Sequence, residues 1–185
     1  MKLLLQYFLN GKSITGRMII GFELSQMIEC PVEKTFSFLS DFTNMPLWNY
    51  YVQSVTKMTE GPVAEGTVFE QKRPHDLLFY KIVAIARPYK IMAEVQPPAP
   101  HLDYGFELYD QGEQTRVVYK WNLDLENYKL LKYIPRGKFK DWLLSFAGRL
   151  VQKKTRPAVM QNFGKLKILL ETGRVTLQDG RSVSV

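Results

Sequence analysis

The two histidines are the side chains whose ordinary titration lies nearest neutrality, and each has a carboxylate close by: His75 beside Asp76, and His101 two residues before Asp103. A carboxylate that orients an imidazole makes a general base, and the adjoining Tyr104 offers a donor for an enolate. Neighbours on a strand point to opposite faces and residues two apart share one. That favours His101 with Asp103 and disfavours His75 with Asp76. The candidate catalytic residues are therefore His101, Asp103 and Tyr104. No nucleophile elbow, metal motif, phosphate-cradling glycine loop or paired-carboxylate signature accompanies them. With a single cysteine, Cys30, and two histidines there is no Cys/His cluster of metal-ligand spacing, so neither metal nor cofactor is expected.

The elements that position these residues are strands. After an alternating segment from Ile20 to Ile28, Cys30-Pro31 opens a short helix with Val32, Phe36 and Leu39 on one face and Glu33 near its positive end. A second short helical turn, around 44–47, leads to Trp48. Six strand-length segments follow, at about 52–58, 67–72, 77–86, 91–95, 102–109 and 115–123. They are separated by turns rich in Gly, Pro and Asp, the pattern of an antiparallel meander. Every second turn of a meander lies at the same end, so the turns at 73–76 and 96–101, with His75 and His101, meet the crossing that follows Leu123. Tyr104, Phe106 and Leu108 share one phase of their strand, and Val117, Tyr119, Trp121 and Leu123 one phase of the next. Phe106 and Leu108 read as core. Tyr104, Tyr119 and Trp121 carry polar atoms that need partners when buried, which suits a pocket wall.

The last third of the chain carries a helical pattern, with apolar residues at Phe139, Leu143, Phe146 and Leu150 and again at Val159, Phe163, Leu166 and Leu170. Unbroken, it would run about 50 Å. Pro157 predicts a kink or a split near Arg156. Taken as one buried stripe, it adds Phe146 and Leu150 to a ligand-binding set of Trp48, Tyr80, Tyr104, Tyr119 and Trp121.

The 185 residues, 45% hydrophobic and 23% charged, suit one soluble domain, and the net charge is +7. From Lys129 to Arg174 there are 12 basic residues against two acids, Asp141 and Glu171, whereas the rest of the chain has 13 against 16. The basic excess thus lies on the helix and its approach, where Lys132, Arg136, Lys138 and Lys140 interleave with Tyr133, Phe139 and Trp142. That composition fits contact with an anionic membrane surface, and solvation of the helix's outer face is the competing reading. The opening MKLLLQYFL is broken by Gln6, lacks a small-residue cleavage site and is too short to span a bilayer. A cytoplasmic monomer is expected, with 1–18 as an arm, 19–172 as one domain and 173–185 as a tail.

This order of elements, with residues 28–31 followed by VEKTFSFLSDFTNMPLW, then Gly66-Thr67 opening a strand and QNFGKLKILLE at the end, resembles the START-like or SRPBCC superfamily. The likeness is to its polyketide cyclase/dehydrase and coenzyme-Q-binding branch. It implies an α+β helix-grip fold, a seven-stranded curved antiparallel sheet wrapped around the C-terminal helix with two short helices after the first strand. It also implies an apolar cavity between sheet and helix. Plant hormone receptors of the superfamily use the two corresponding turns as gate and latch, which would put the mouth at His75 and His101. The expected function is binding, carrying or sensing an apolar or lipid-like molecule. The alternatives are an aromatase/cyclase-like or other enzyme acting on an apolar substrate and, less in keeping with a helix needed for the core, a basic nucleic-acid-binding protein. No nucleic acid is expected.

Overall fold

The computed structural model describes residues 19–124, 133–135 and 137–185. The arm expected at 1–18 and the basic residues Lys132 and Arg136 lie outside them. In chain order come β1 (Ile19–Ile28), α1 (Val32–Ser40), a 3-10 turn (Phe42–Leu47), β2 (Ser54–Lys57), β3 (Val68–Lys72), β4 (Leu77–Ala86), β5 (Lys90–Val95), β6 (Leu102–Asp110), β7 (Thr115–Asp124), α2 (Lys138–Thr172), β8 (Arg174–Thr176) and β9 (Ser182–Ser184).

Local chemistry sets the boundaries of the helices. Pro31 precedes α1 with φ near −59° and Glu33 occupies its positive first turn. Asp41 caps the 3-10 turn by accepting from the Thr43 amide at 3.0 Å. Gly173 ends α2 at φ +73°, its amide returning to the Leu169 carbonyl at 2.8 Å. A left-handed terminus of this kind favours glycine.

The seven-stranded sheet has the order β1-β7-β6-β5-β4-β3-β2, antiparallel throughout. The alternation read in the sequence sets its register: Tyr104 pairs with Trp121 and Phe106 with Tyr119, and all four are buried on the inner face. Gly105, on the opposite phase, permits close approach of β5, because a Cβ there would sit 2.2 Å from the Ile91 carbonyl oxygen. The edge strand β1 is stitched to α2 along its length. Gln152 donates to the Gly21 carbonyl at 2.8 Å, Gln26 to the Phe163 carbonyl at 2.7 Å and Lys167 to the Met27 carbonyl at 2.6 Å, while the Glu29 amide donates to Glu171 at 2.7 Å. The bonds at Gly21, Met27 and Glu29 take up backbone groups along an edge that would otherwise be open to further strand pairing.

α2 is one continuous helix across Pro157, so the expected split into two helices does not occur. The single buried stripe also needs correction. Leu150 and Val159 are nine residues apart, which at about 100° per residue places the two apolar runs half a turn out of phase. The helix buries Leu144, Phe163, Leu166, Leu169 and Leu170, and leaves Phe139, Phe146 and Leu150 exposed at 67%, 52% and 47%. Residues 173–185, read as a tail, form the hairpin of β8 and β9, and Val175 and Leu177 join the core. Among the described residues no helix is long and apolar enough to cross a membrane.

Candidate inner-face ligand site

Strand alternation brings rings from β1, β3, β4, β6 and β7 onto the inner face, where they meet rings of the 3-10 turn and α2. Tyr104 stands at the centre, with Tyr80 edge-on at 5.0 Å, Phe42 at 5.4 Å and Tyr119 at 6.3 Å between ring centroids. Tyr119 reaches across to Phe163 of α2 at 6.1 Å, Trp48 meets Phe106 at 6.3 Å, and Trp121 stacks on Phe22 at 5.1 Å. Five of the seven residues expected to line the site, Trp48, Tyr80, Tyr104, Tyr119 and Trp121, are therefore buried together in one cluster. Phe146 and Leu150 are not among them. They fall on the exposed face of α2 for the phase reason given above.

This apolar interior contains polar atoms. The Tyr104 hydroxyl donates to the Met45 thioether, a weak acceptor, at 3.7 Å. Tyr80 and Tyr119 add two more hydroxyls. Burial pushes the Tyr80 phenol up to about 12, with nearby Arg73 opposing the shift, and pushes Tyr104 and Tyr119 up as well. All three are neutral donors at physiological pH. On β3, Phe69 and Gln71 share the inner phase, opposite Tyr80 and Leu78, and the Gln71 Oε1 atom is buried without a hydrogen-bond partner among the described residues. Gln71 and Phe69 were missed in the sequence, where the visible signal was the alternation of Val68–Lys72.

The expected catalytic trio is not assembled. His101 Nε2 does lie 3.4 Å from Asp103 Oδ1, as their shared phase required, but the pair is on the outer face, with His101 exposed and Asp103 half-buried, while Tyr104 is buried on the inner one. Burial raises the Asp103 carboxyl, His101 opposes that shift, and Glu94 and Asp124 add to it. His75 is exposed, and its neighbour Asp76 is engaged by Arg73, whose Nε donates at 2.6 Å. Both histidines do lie at the end of the sheet that leads into α2.

The residues assigned to membrane contact divide. Tyr133, Phe139 and Trp142 are exposed at 73%, 67% and 61%, and Trp142 stacks on Phe139 at 6.2 Å and on Phe146 at 6.0 Å. Lys138 is exposed with them. Lys140 departs from the expectation, because it is buried on the same helical face as Leu144, one turn away.

A seven-stranded antiparallel sheet with two short helices after its first strand and a long C-terminal helix is the helix-grip fold. The chain belongs to the polyketide cyclase/dehydrase and lipid transport family, whose model matches residues 20–171. Among solved structures it is similar to Ara h 8.0201, at 15% identity and TM-score 0.51, covering 80% of this chain and 97% of that one. It is also similar to the di-domain ARO/CYC StfQ from the steffimycin biosynthetic pathway, at 13% identity and TM-score 0.62, covering 83% of this chain and 51% of that one. The chain thus spans about half the length of StfQ. No curated protein matches it. At these identities the structural likeness carries the fold alone.

Proposed function

We propose that the protein binds and carries a small apolar molecule bearing a hydroxyl or carbonyl group, held between the inner sheet face and the buried stripe of α2. The carrying observation is the Gln71 Oε1 atom, buried on the inner phase of β3 and without a hydrogen-bond partner among the described residues. A buried acceptor without a donor costs about 1–3 kcal/mol, a cost that a ligand hydroxyl would remove. The Tyr80, Tyr104 and Tyr119 hydroxyls supply donors for a ligand oxygen on the same face. Family membership supports the class of ligand, since the family description includes lipid transport.

The same description names cyclases and dehydrases, and StfQ is titled an ARO/CYC. Tyr104 lies on the opposite face of the sheet from His101 and Asp103, which supports carriage over turnover. We further propose that the exposed rings of Tyr133, Phe139, Trp142 and Phe146, in the segment that carries the basic excess, rest on an anionic bilayer. A lipid-like ligand would then enter with little exposure to water. Native mass spectrometry of the purified chain, followed by solvent extraction, tests the carrier reading. An apolar, oxygen-bearing molecule at up to one equivalent is expected, and a chain that stays ligand-free after incubation with a total lipid extract would overturn it.

A further inference from the structure

The outer face of the sheet carries a charge arrangement that ligand carriage does not use. Glu94 on β5 and Asp103 on β6 are directly opposed in the antiparallel register, and like charges in that relation destabilise a sheet. Elsewhere on this face the chain compensates. Glu107 is matched by Lys120 at 2.7 Å and by Lys90 at 3.8 Å. Among the described residues no lysine or arginine stands within ion-pair distance of Glu94 or Asp103, although Lys81 is Glu94's neighbour in register on β4. Their near partners are His101, with Nε2 at 3.4 Å from Asp103 Oδ1, and the Gln96 amide, which donates to Glu94 at 3.1 Å. One donor atom from each of Glu94, His101 and Asp103 lies within 4.8 Å of the other two.

We propose that Glu94, His101 and Asp103 form a binding site for a divalent transition-metal ion, with zinc the best fit. An imidazole with two carboxylates suits zinc, which takes such ligands at about 2.0–2.2 Å, so that neighbouring donors of a tetrahedral ion lie about 3.4 Å apart. The His101 and Asp103 donors already have that separation, and a rotation of the Glu94 side chain brings in the third. Two carboxylates neutralise the ion, and the open position goes to water. The site is formed by strand register rather than by local sequence, because Glu94 and His101 are seven residues apart around the 96–101 turn. The His101 carbonyl accepts from the Asp124 amide at 3.0 Å, which fixes the backbone that presents the imidazole. A bound ion would therefore tie this turn to the sheet at the end where His75 also lies. The proposal is independent of what the inner face carries.

Isothermal titration of the tag-free full chain with zinc chloride tests it, with magnesium chloride as the comparison. One zinc equivalent is expected, magnesium binding far more weakly, and zinc should raise the melting temperature. His101→Ala, at an exposed position, and Asp103→Asn, at a half-buried one, should each weaken binding at least about 10-fold, since loss of even an outer partner of a metal ligand costs about 10- to 100-fold. His75→Ala should leave binding unchanged. Cys30 is buried and does not compete. Absence of saturable zinc binding, binding that survives both His101→Ala and Asp103→Asn, an equal loss in His75→Ala, or equal affinity for magnesium would each overturn the assignment.

Discussion

The ring of Tyr80 meets the ring of Tyr104 edge-on across an intervening strand, with centroids 5.0 Å apart and planes at 83°. The two residues belong to β4 and β6, and what permits the contact is Ala93 on β5, fully buried and directly opposite Tyr104 in register. A methyl group there leaves room above the sheet for rings from both sides.

Ala93→Leu should therefore wedge the two tyrosines apart. Overpacking of this kind costs about 1–3 kcal/mol. Urea denaturation would measure it, and a substitution without cost would mean that the space above β5 is already empty of rings.

The phase of α2 has its own test. Phe163→Ala should destabilise the protein by about 3–5 kcal/mol, because it removes a buried ring in contact with Tyr119, whereas Phe146→Ala should change stability by less than about 0.5 kcal/mol. Comparable losses at both positions would place both apolar runs in the core.

Much of this was legible in the chain. The period-two alternation of Tyr104, Phe106 and Leu108 and of Val117, Tyr119 and Trp121 specified which residues face inward, because strand geometry leaves no other choice. The turn residues located the strands to within about two residues. The α2 runs misled because each is internally regular, and only the nine-residue step from Leu150 to Val159 records that they lie on opposite faces. Glu94 and Gln71 were not found because their roles arise from neighbours on other strands, which no local pattern reports. The β8 and β9 hairpin was missed because its strands are three residues long, too short for any period to be read.

Alkaline pH should loosen the interior. The Tyr80 phenol is raised to about 12 in the folded chain from its ordinary 10.0, so between these values the unfolded chain releases a proton that the folded chain keeps. Stability is thus fully present below pH 10 and falls as pH rises toward 12, with Tyr104 and Tyr119, also raised by burial, adding to the fall. Denaturation midpoints measured from pH 9 upward should drop, and the drop should be smaller in Tyr80→Phe. An identical pH dependence in the variant would contradict the assignment to Tyr80.

Flotation with liposomes tests the exposed aromatic ladder of α2. The wild-type chain should float with anionic vesicles, less at high salt, and Phe139→Ser with Trp142→Ser should abolish flotation without lowering stability. Flotation that is indifferent to lipid charge, to salt and to the double substitution would remove the membrane contact.

The central claim, a ligand site on the inner sheet face, is most directly tested by titration with the fluorescent apolar anion 1-anilinonaphthalene-8-sulfonate. The account predicts one saturable site with blue-shifted emission, weakened about 10-fold or more by Ala93→Leu, equivalent to at least about 1.4 kcal/mol, and unchanged by Trp142→Ala with Phe146→Ala on the exposed face of α2. No saturable binding, or binding lost in the Trp142 and Phe146 variant and retained in Ala93→Leu, would contradict it.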